Sequence, residues 1–179
     1  VTDSDHADGT FSPDELAGLL ELFGALTESE LRRAVNEAAF RAGRDVDDDA
    51  LADRVDAAAD SFHVVRVDPD AVPDVVPALD HDHPEAAYVP GPRAWPEEPE
   101  HSEDLPHILD VDPRPVDRRA LATRVRHQLR TSIERAAATG NADRLHDLVD
   151  ITYDVEAWAD IDLGDTRGLA DGALANVED

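Results

Sequence analysis

Lysine is absent from this chain of 179 residues, and so are cysteine and methionine. All fixed positive charge therefore falls to sixteen arginines, set against forty-two Asp and Glu, for a net charge of −26. Without cysteine, disulfides and thiolate metal sites are excluded. Aromatic residues make up only 4%, so the core has to be built from Ala, Leu and Val, a shallow filling that suits helix packing better than a thick β-sandwich. No apolar run approaches the roughly 18–20 residues of a membrane helix, and no signal-peptide pattern is present. The expectation is a soluble, cytoplasmic protein with no membrane partner. The nucleophile elbow, P-loop, dinucleotide-binding glycines, zinc-protease His pair and EF-hand loop are all missing. No catalytic residue and no cofactor is assigned, and the chain is expected not to be an enzyme.

What is present in excess is acid. Self-repulsion at −26 opposes a compact state at low ionic strength, whereas at 1 M salt the Debye length falls to about 3 Å and most of that repulsion is screened. Twenty-nine of the acids are Asp, short side chains that hold water and cations. This is the composition of a halophilic protein in a molar-salt cytosol. Acid clusters are the background of such a chain, so none of them argues for catalysis or calcium binding.

The pattern along the chain predicts a mainly α fold with a small β element: an N-terminal winged-helix-like three-helix unit over 11–68, and a C-terminal helical pair over 116–163. Residues 1–10 are polar and expected to be disordered. Ser12-Pro13-Asp14-Glu15 and Thr27-Glu28-Ser29-Glu30 both read as capping boxes opening helices. Leu16, Leu19, Leu20 and Phe23 form the first apolar stripe, and Leu31, Val35, Ala38 and Ala42 the second. A third helix starts among Asp47–Asp49 with Leu51, Val55, Ala58 and Ala59, and residues 61–67 read as a strand. Eleven of the twelve prolines fall in 69–115, which reads as a strap or linker without long helices. A long helix follows from Val116 to Thr139, then a shorter one capped by Asn141. Ile151, Tyr153 and Val155 alternate, leaving strand and helical turn both open. Residues 164–179 read as an acidic, Gly-rich tail with at most a weak helix from Thr166.

Charge reverses sign once. Eight of the sixteen arginines lie within 114–144, where they face three acids. The helix in that stretch carries Arg118, Arg119, Arg124, Arg126, Arg130 and Arg135. The reading the sequence favours is pairing of these arginines with acids of the same chain, sewing the C-terminal helix back onto the acidic N-terminal unit. The alternatives are contact with an acidic protein partner or with nucleic acid, since guanidinium suits bidentate pairing with either carboxylate or phosphate. The third helix departs from a DNA-reading element: it offers Asp47, Asp48, Asp49, Asp53, Asp56 and Asp60 against one Arg54, where base edges call for Arg, Lys, Asn or Gln. His81, His83, His101 and His107 cluster in the Pro-rich segment beside carboxylates. They are weak candidates for metal ligands, because no spacing fixes a full ligand set, and a solvated loop is the expected reading. Tyr153 and Trp158 are read as packing residues.

Three stretches carry a resemblance: FSPDELAGLLELFGALTESELRRAVNEAAFRAG, PRPVDRRALATRVRHQLR and LVDITYDVEAWADIDL. Together they resemble an uncharacterised family, a domain-of-unknown-function group of small acidic proteins from halophilic archaea, over most of 11–163. The resemblance implies a single unit of halophilic type and supplies no activity, cofactor or residue role. The resulting expectation is a non-enzymatic adaptor or regulatory protein that binds an unidentified protein partner. The alternatives are a nucleic-acid-associated regulator using the Arg-rich helix 116–139, and a metal-dependent enzyme using the histidines of 81–107.

Overall fold

A computed structural model describes residues 11–79 and 85–178. The N-terminal polar stretch 1–10 lies outside the described residues. The chain divides into two compact units, Val1–Val116 and Asp117–Asp179. It is mostly helical, with eight helices among the described residues and one small antiparallel sheet.

The first unit opens with α1 (Pro13–Phe23) and α2 (Glu28–Arg41), separated by the two-residue strand β1 (Leu26–Thr27). Both capping boxes form: Ser12 accepts from the Glu15 amide while Glu15 accepts from the Ser12 amide, and Thr27 and Glu30 repeat the exchange. Each satisfies two otherwise orphaned donors, which fixes where the helix begins. The Asp47 carboxylate accepts from the amides of Asp49 and Ala50 and starts α3 (Asp48–Asp60). Strand β2 (Val64–Val67) follows, then the single-turn α4 (Val72–Val75), β3 (Ala87–Pro90) and α5 (Leu105–Leu109).

The sheet order is β1-β3-β2, so β3 is central. Leu26 pairs with Tyr88 on one side, and Val65 with Val89 on the other. Helix, strand, helix, helix, strand, strand in this sheet order is compatible with a winged-helix arrangement. Leu16, Leu19, Leu20 and Phe23 of α1, Leu31 and Val35 of α2, Leu51 and Val55 of α3, Val64 and Tyr88 of the sheet, and Leu105 form one hydrophobic cluster.

The Pro-rich segment is laid on this body. The Asp14 carbonyl accepts from the Glu97 amide at 3.0 Å, and the Phe23 carbonyl from the Arg114 amide at 2.7 Å. Glycine makes both approaches possible. A Cβ at Gly18 would stand 2.0 Å from the Glu97 carbonyl oxygen, and one at Gly24 2.1 Å from that of Arg114.

The second unit is a bundle of α6 (Arg118–Ala138), α7 (Ala142–Ala159) and α8 (Gly164–Glu178), each touching the other two. The helical pair expected over 116–163 forms as α6 and α7, and the stretch read as an acidic tail with at most a weak helix adds a third, α8. Leu163, Thr166, Ala170 and Leu174 are buried at helical spacing, a stripe hidden among glycines and aspartates of low helix propensity. Packing against two neighbours offsets that propensity. The open choice at 151–158 is settled by α7, which runs on to Ala159. Ile151 and Val155 are fully buried while Tyr153 is 54% exposed, a split that a strand would not produce.

Candidate interaction surface

α6 is built to show its charge. Leu121, Val125, Leu129, Ile133 and Ala136 recur at intervals of three and four, and all are buried. The helix is capped by the Asp117 carboxylate, which accepts from the amides of Arg119 and Ala120. Helical geometry at roughly 100° per residue then places the arginines on the flanks of the buried face. Arg119, Arg126 and Arg130 form one stripe, within roughly 40° of one another, and Arg124 and Arg135 form a second on the opposite flank. Arg118, Arg119, Arg126, Arg130 and Arg135 are exposed, and Arg124 is half-buried.

The acids of the bundle itself do not take up these arginines. Acids there pair with other cations: Asp147 with Arg144, and Glu156 with Arg167. Among the described residues of this unit, none of the six α6 guanidiniums forms an ion pair. Arg118 instead lies over the Trp158 ring, 5.8 Å from its centroid, so Trp158 packs as expected and takes a cation on its face. Tyr153 carries the Arg167 guanidinium at 3.9 Å.

A second feature lies in the first unit. A cleft of about 610 Å³ opens between α2, α3 and the sheet. Leu31, Leu51 and Val55 give it an apolar floor, Glu28, Asp48, Asp49 and Asp56 an acidic rim, Arg32 lines it from α2, and Arg66 and Tyr88 stand at its sheet side. Burial pushes the Tyr88 phenol above its ordinary value; the Arg66 guanidinium that hydrogen-bonds it pulls the other way, and the carboxylates of Glu28 and Asp56 push it up. The phenol is thus neutral through the physiological range and donates or accepts a hydrogen bond at the cleft wall. The lining thus sets apolar surface beside both acidic and basic groups.

Of the histidines expected as weak metal candidates, His81 and His83 lie outside the described residues. His101 and His107 are both exposed, one in the segment before α5 and the other on α5 itself. Among the described residues no group of three or more His, Asp or Glu converges so as to hold a metal ion. No helix there is long and apolar enough to cross a membrane.

Over residues 14–175 the chain matches a family of unknown function, DUF7109. The chain belongs to this family. The match spans both units of the DUF7109 fold, from the first turn of α1 to the last turns of α8. No curated protein and no solved structure matches it.

Sequence reasoning found the charge reversal of this DUF7109 chain but missed the cleft. Its lining is drawn from α2, α3, β2 and β3, and the one signal in reach was Tyr88, an isolated aromatic between apolar residues in the Pro-rich segment.

Proposed function

We propose that this chain is a non-enzymatic adaptor or regulatory protein, and that the arginine face of α6 is its contact surface for an acidic protein. One observation carries the reading. In a chain with forty-two acids, the guanidiniums of Arg119, Arg124, Arg126, Arg130 and Arg135 have no ion-pair partner within their bundle. An exposed cation with no partner among the described carboxylates of its own bundle is available to a carboxylate brought by another molecule. The composition supports a halophilic, cytoplasmic setting for this contact, since direct guanidinium–carboxylate pairs survive salt that erases long-range attraction.

A second reading takes phosphate in place of carboxylate, making the chain a nucleic-acid-associated regulator. It draws on the winged-helix-like element order of the first unit and on the fit of guanidinium to phosphate. Two facts weigh against it. Phosphate contacts lose affinity steeply at molar salt, where counterion release is no longer favourable, and the helix that would read bases, α3, presents aspartates. A metal-dependent enzyme built on His81, His83, His101 and His107 draws no support from His101 and His107, the two described members.

Fluorescence anisotropy separates the readings. A labelled poly-aspartate peptide and a labelled duplex DNA are each titrated in about 1 M KCl, where the Debye length is about 3 Å and only contact pairs count. Binding of the peptide, weakened at least tenfold by Arg119→Asp, Arg126→Asp and Arg130→Asp together, is the expected result. Binding of DNA alone, or peptide binding indifferent to the substitutions, overturns the proposal.

A further inference from the structure

The surface that best complements the α6 arginines belongs to this same sequence. On α3, Asp49, Asp53, Asp56 and Asp60 recur at i, i+4, i+7 and i+11 and are all exposed. At roughly 100° per residue they fall within about 60° of one another, on the side away from buried Leu51, Val55 and Ala58. Asp49, Asp53 and Asp56 form no ion pair among the described residues. On α6, Arg119, Thr123, Arg126 and Arg130 occupy the same four steps, and all four are exposed.

We infer that the arginine stripe of α6 in one copy of this chain docks on the aspartate stripe of α3 in a second copy. This rests on the reading of α6 as a contact surface for an acidic protein and names that protein.

The spacing supports it. Both stripes extend over eleven residues, about 16 Å of helix. Laid antiparallel, Arg119 meets Asp60, Arg126 meets Asp53 and Arg130 meets Asp49. Laid parallel, the same arginines meet Asp49, Asp56 and Asp60. Either way, two of the arginines meet aspartates that have no ion pair among the described residues. At the fourth position the Thr123 hydroxyl meets the remaining aspartate, and a hydroxyl can donate to a carboxylate. Charge alone argues for the partner: like stripes repel, so α6 does not pack on α6 nor α3 on α3. Every contact joins one α6 to one α3. Two copies can satisfy each other reciprocally, or the contact can run on from copy to copy.

Two charge-reversed variants test it. The first carries Arg119→Asp, Arg126→Asp and Arg130→Asp; the second carries Asp49→Arg, Asp53→Arg and Asp56→Arg. Far-UV circular dichroism checks that both are folded, and mass is read by light scattering after gel filtration in about 1 M KCl. The wild-type chain is expected at twice the monomer mass or more. Each variant alone is expected as a monomer, because its two stripes then share one sign. An equimolar mixture of the two is expected to recover a complex, since the acidic α6 of the first fits the basic α3 of the second. A monomeric wild type, a variant that keeps the wild-type mass, or a mixture that stays monomeric overturns the inference. A monomeric wild type that still binds the poly-aspartate probe overturns the second-copy inference alone. One that ignores the probe overturns the contact-surface reading as well.

Discussion

The Arg114 guanidinium grips the Glu30 carboxylate with two hydrogen bonds, at 2.6 and 2.7 Å. Glu30 already serves α2, accepting from the Thr27 amide at 2.9 Å in the capping box. Arg114 also donates to the Ala25 carbonyl at 3.1 Å. One carboxylate thus joins the start of α2 to the end of the Pro-rich segment, 84 residues away in sequence. Both side chains are largely shielded, 15% and 17% exposed, so the pair is worth more than a surface ion pair.

Glu30→Gln removes the charge but keeps the shape, and is expected to cost about 1–3 kcal/mol, the range for a hydrogen bond to a charged group. The pH dependence follows from the direction of the Glu30 shift. Burial pulls its pKa upward, but the Arg114 contact and the hydrogen bonds from Thr27 outweigh it and hold the folded value below the ordinary 4.5. A depressed carboxylate contributes stability that is fully present above the unfolded value and is lost as pH falls through the folded one. The stability gap between wild type and Glu30→Gln, from urea unfolding, should hold constant near neutrality and shrink below about pH 4.5. A gap that persists unchanged into strong acid would show that the ion pair contributes nothing.

Gly18 and Gly172 are both helical glycines, and alanine is expected to act on them with opposite signs. At Gly18 the new methyl meets the backbone oxygen of Glu97 at 2.0 Å, which forces the segment carrying Trp95 and Glu97 away from its hydrogen bonds to Asp14. Overpacking of this kind costs about 1–3 kcal/mol. At Gly172 nothing lies within 4 Å, and alanine gains about 0.5–1 kcal/mol from lost unfolded-state freedom and better helix propensity. Amide hydrogen exchange reads both: faster around 94–98 in Gly18→Ala, slower across α8 in Gly172→Ala.

These contrasts show what could be read from sequence and what could not. Helix starts at Ser12, Thr27, Asp47 and Asn141 were legible, because a cap needs only its own next three residues. Strand β3 was not. Its partners Leu26 and Val65 are distant, and the prolines around it argue locally against any regular element. The second half of α7 stayed ambiguous because Ile151, Tyr153 and Val155 fit a period of two as well as a turn of helix, and only burial of Ile151 and Val155 without Tyr153 separates them. For the interaction surface, net charge by segment located the arginines. Whether they had partners depended on which carboxylates the bundle brings near, and that is a property of packing. The sequence favoured pairs that sew this helix onto an acidic body, and it could not tell that the described carboxylates of its own bundle leave these arginines unpaired.

α8 is held at its start by Glu156, which accepts from the Leu163 amide at 2.7 Å and from the Arg167 guanidinium. Arg167 also donates to the buried Thr152 hydroxyl at 2.9 Å and covers the Tyr153 ring. Arg167→Ala removes all of these at once and leaves Thr152 and Glu156 half-satisfied, an expected loss of about 2–3 kcal/mol. Arg167→Lys keeps the charge without the planar fork, so it should recover less than half of that. Exchange of the α8 amides measures both. Full recovery by lysine would mean that the contact is Coulombic only.

Salt is expected to stabilise this protein far more than it does an ordinary one. A net charge of −26 is spread over surfaces such as the α3 stripe, where Asp49, Asp53 and Asp56 stand one or two turns apart with no cation paired to them among the described residues. Raising KCl from about 0.1 to about 2 M shortens the Debye length from about 10 Å to below 3 Å, which removes repulsion between neighbouring turns as well as across the surface. The urea midpoint should rise steadily over that range. The same screening acts on the variant carrying Arg119→Asp, Arg126→Asp and Arg130→Asp, whose net charge is more negative by six. It should fall furthest below wild type at the low-salt end and approach it at the high. A variant equally destabilised at every salt concentration would place the role of these arginines in packing, where the exposed α6 stripe gives them none.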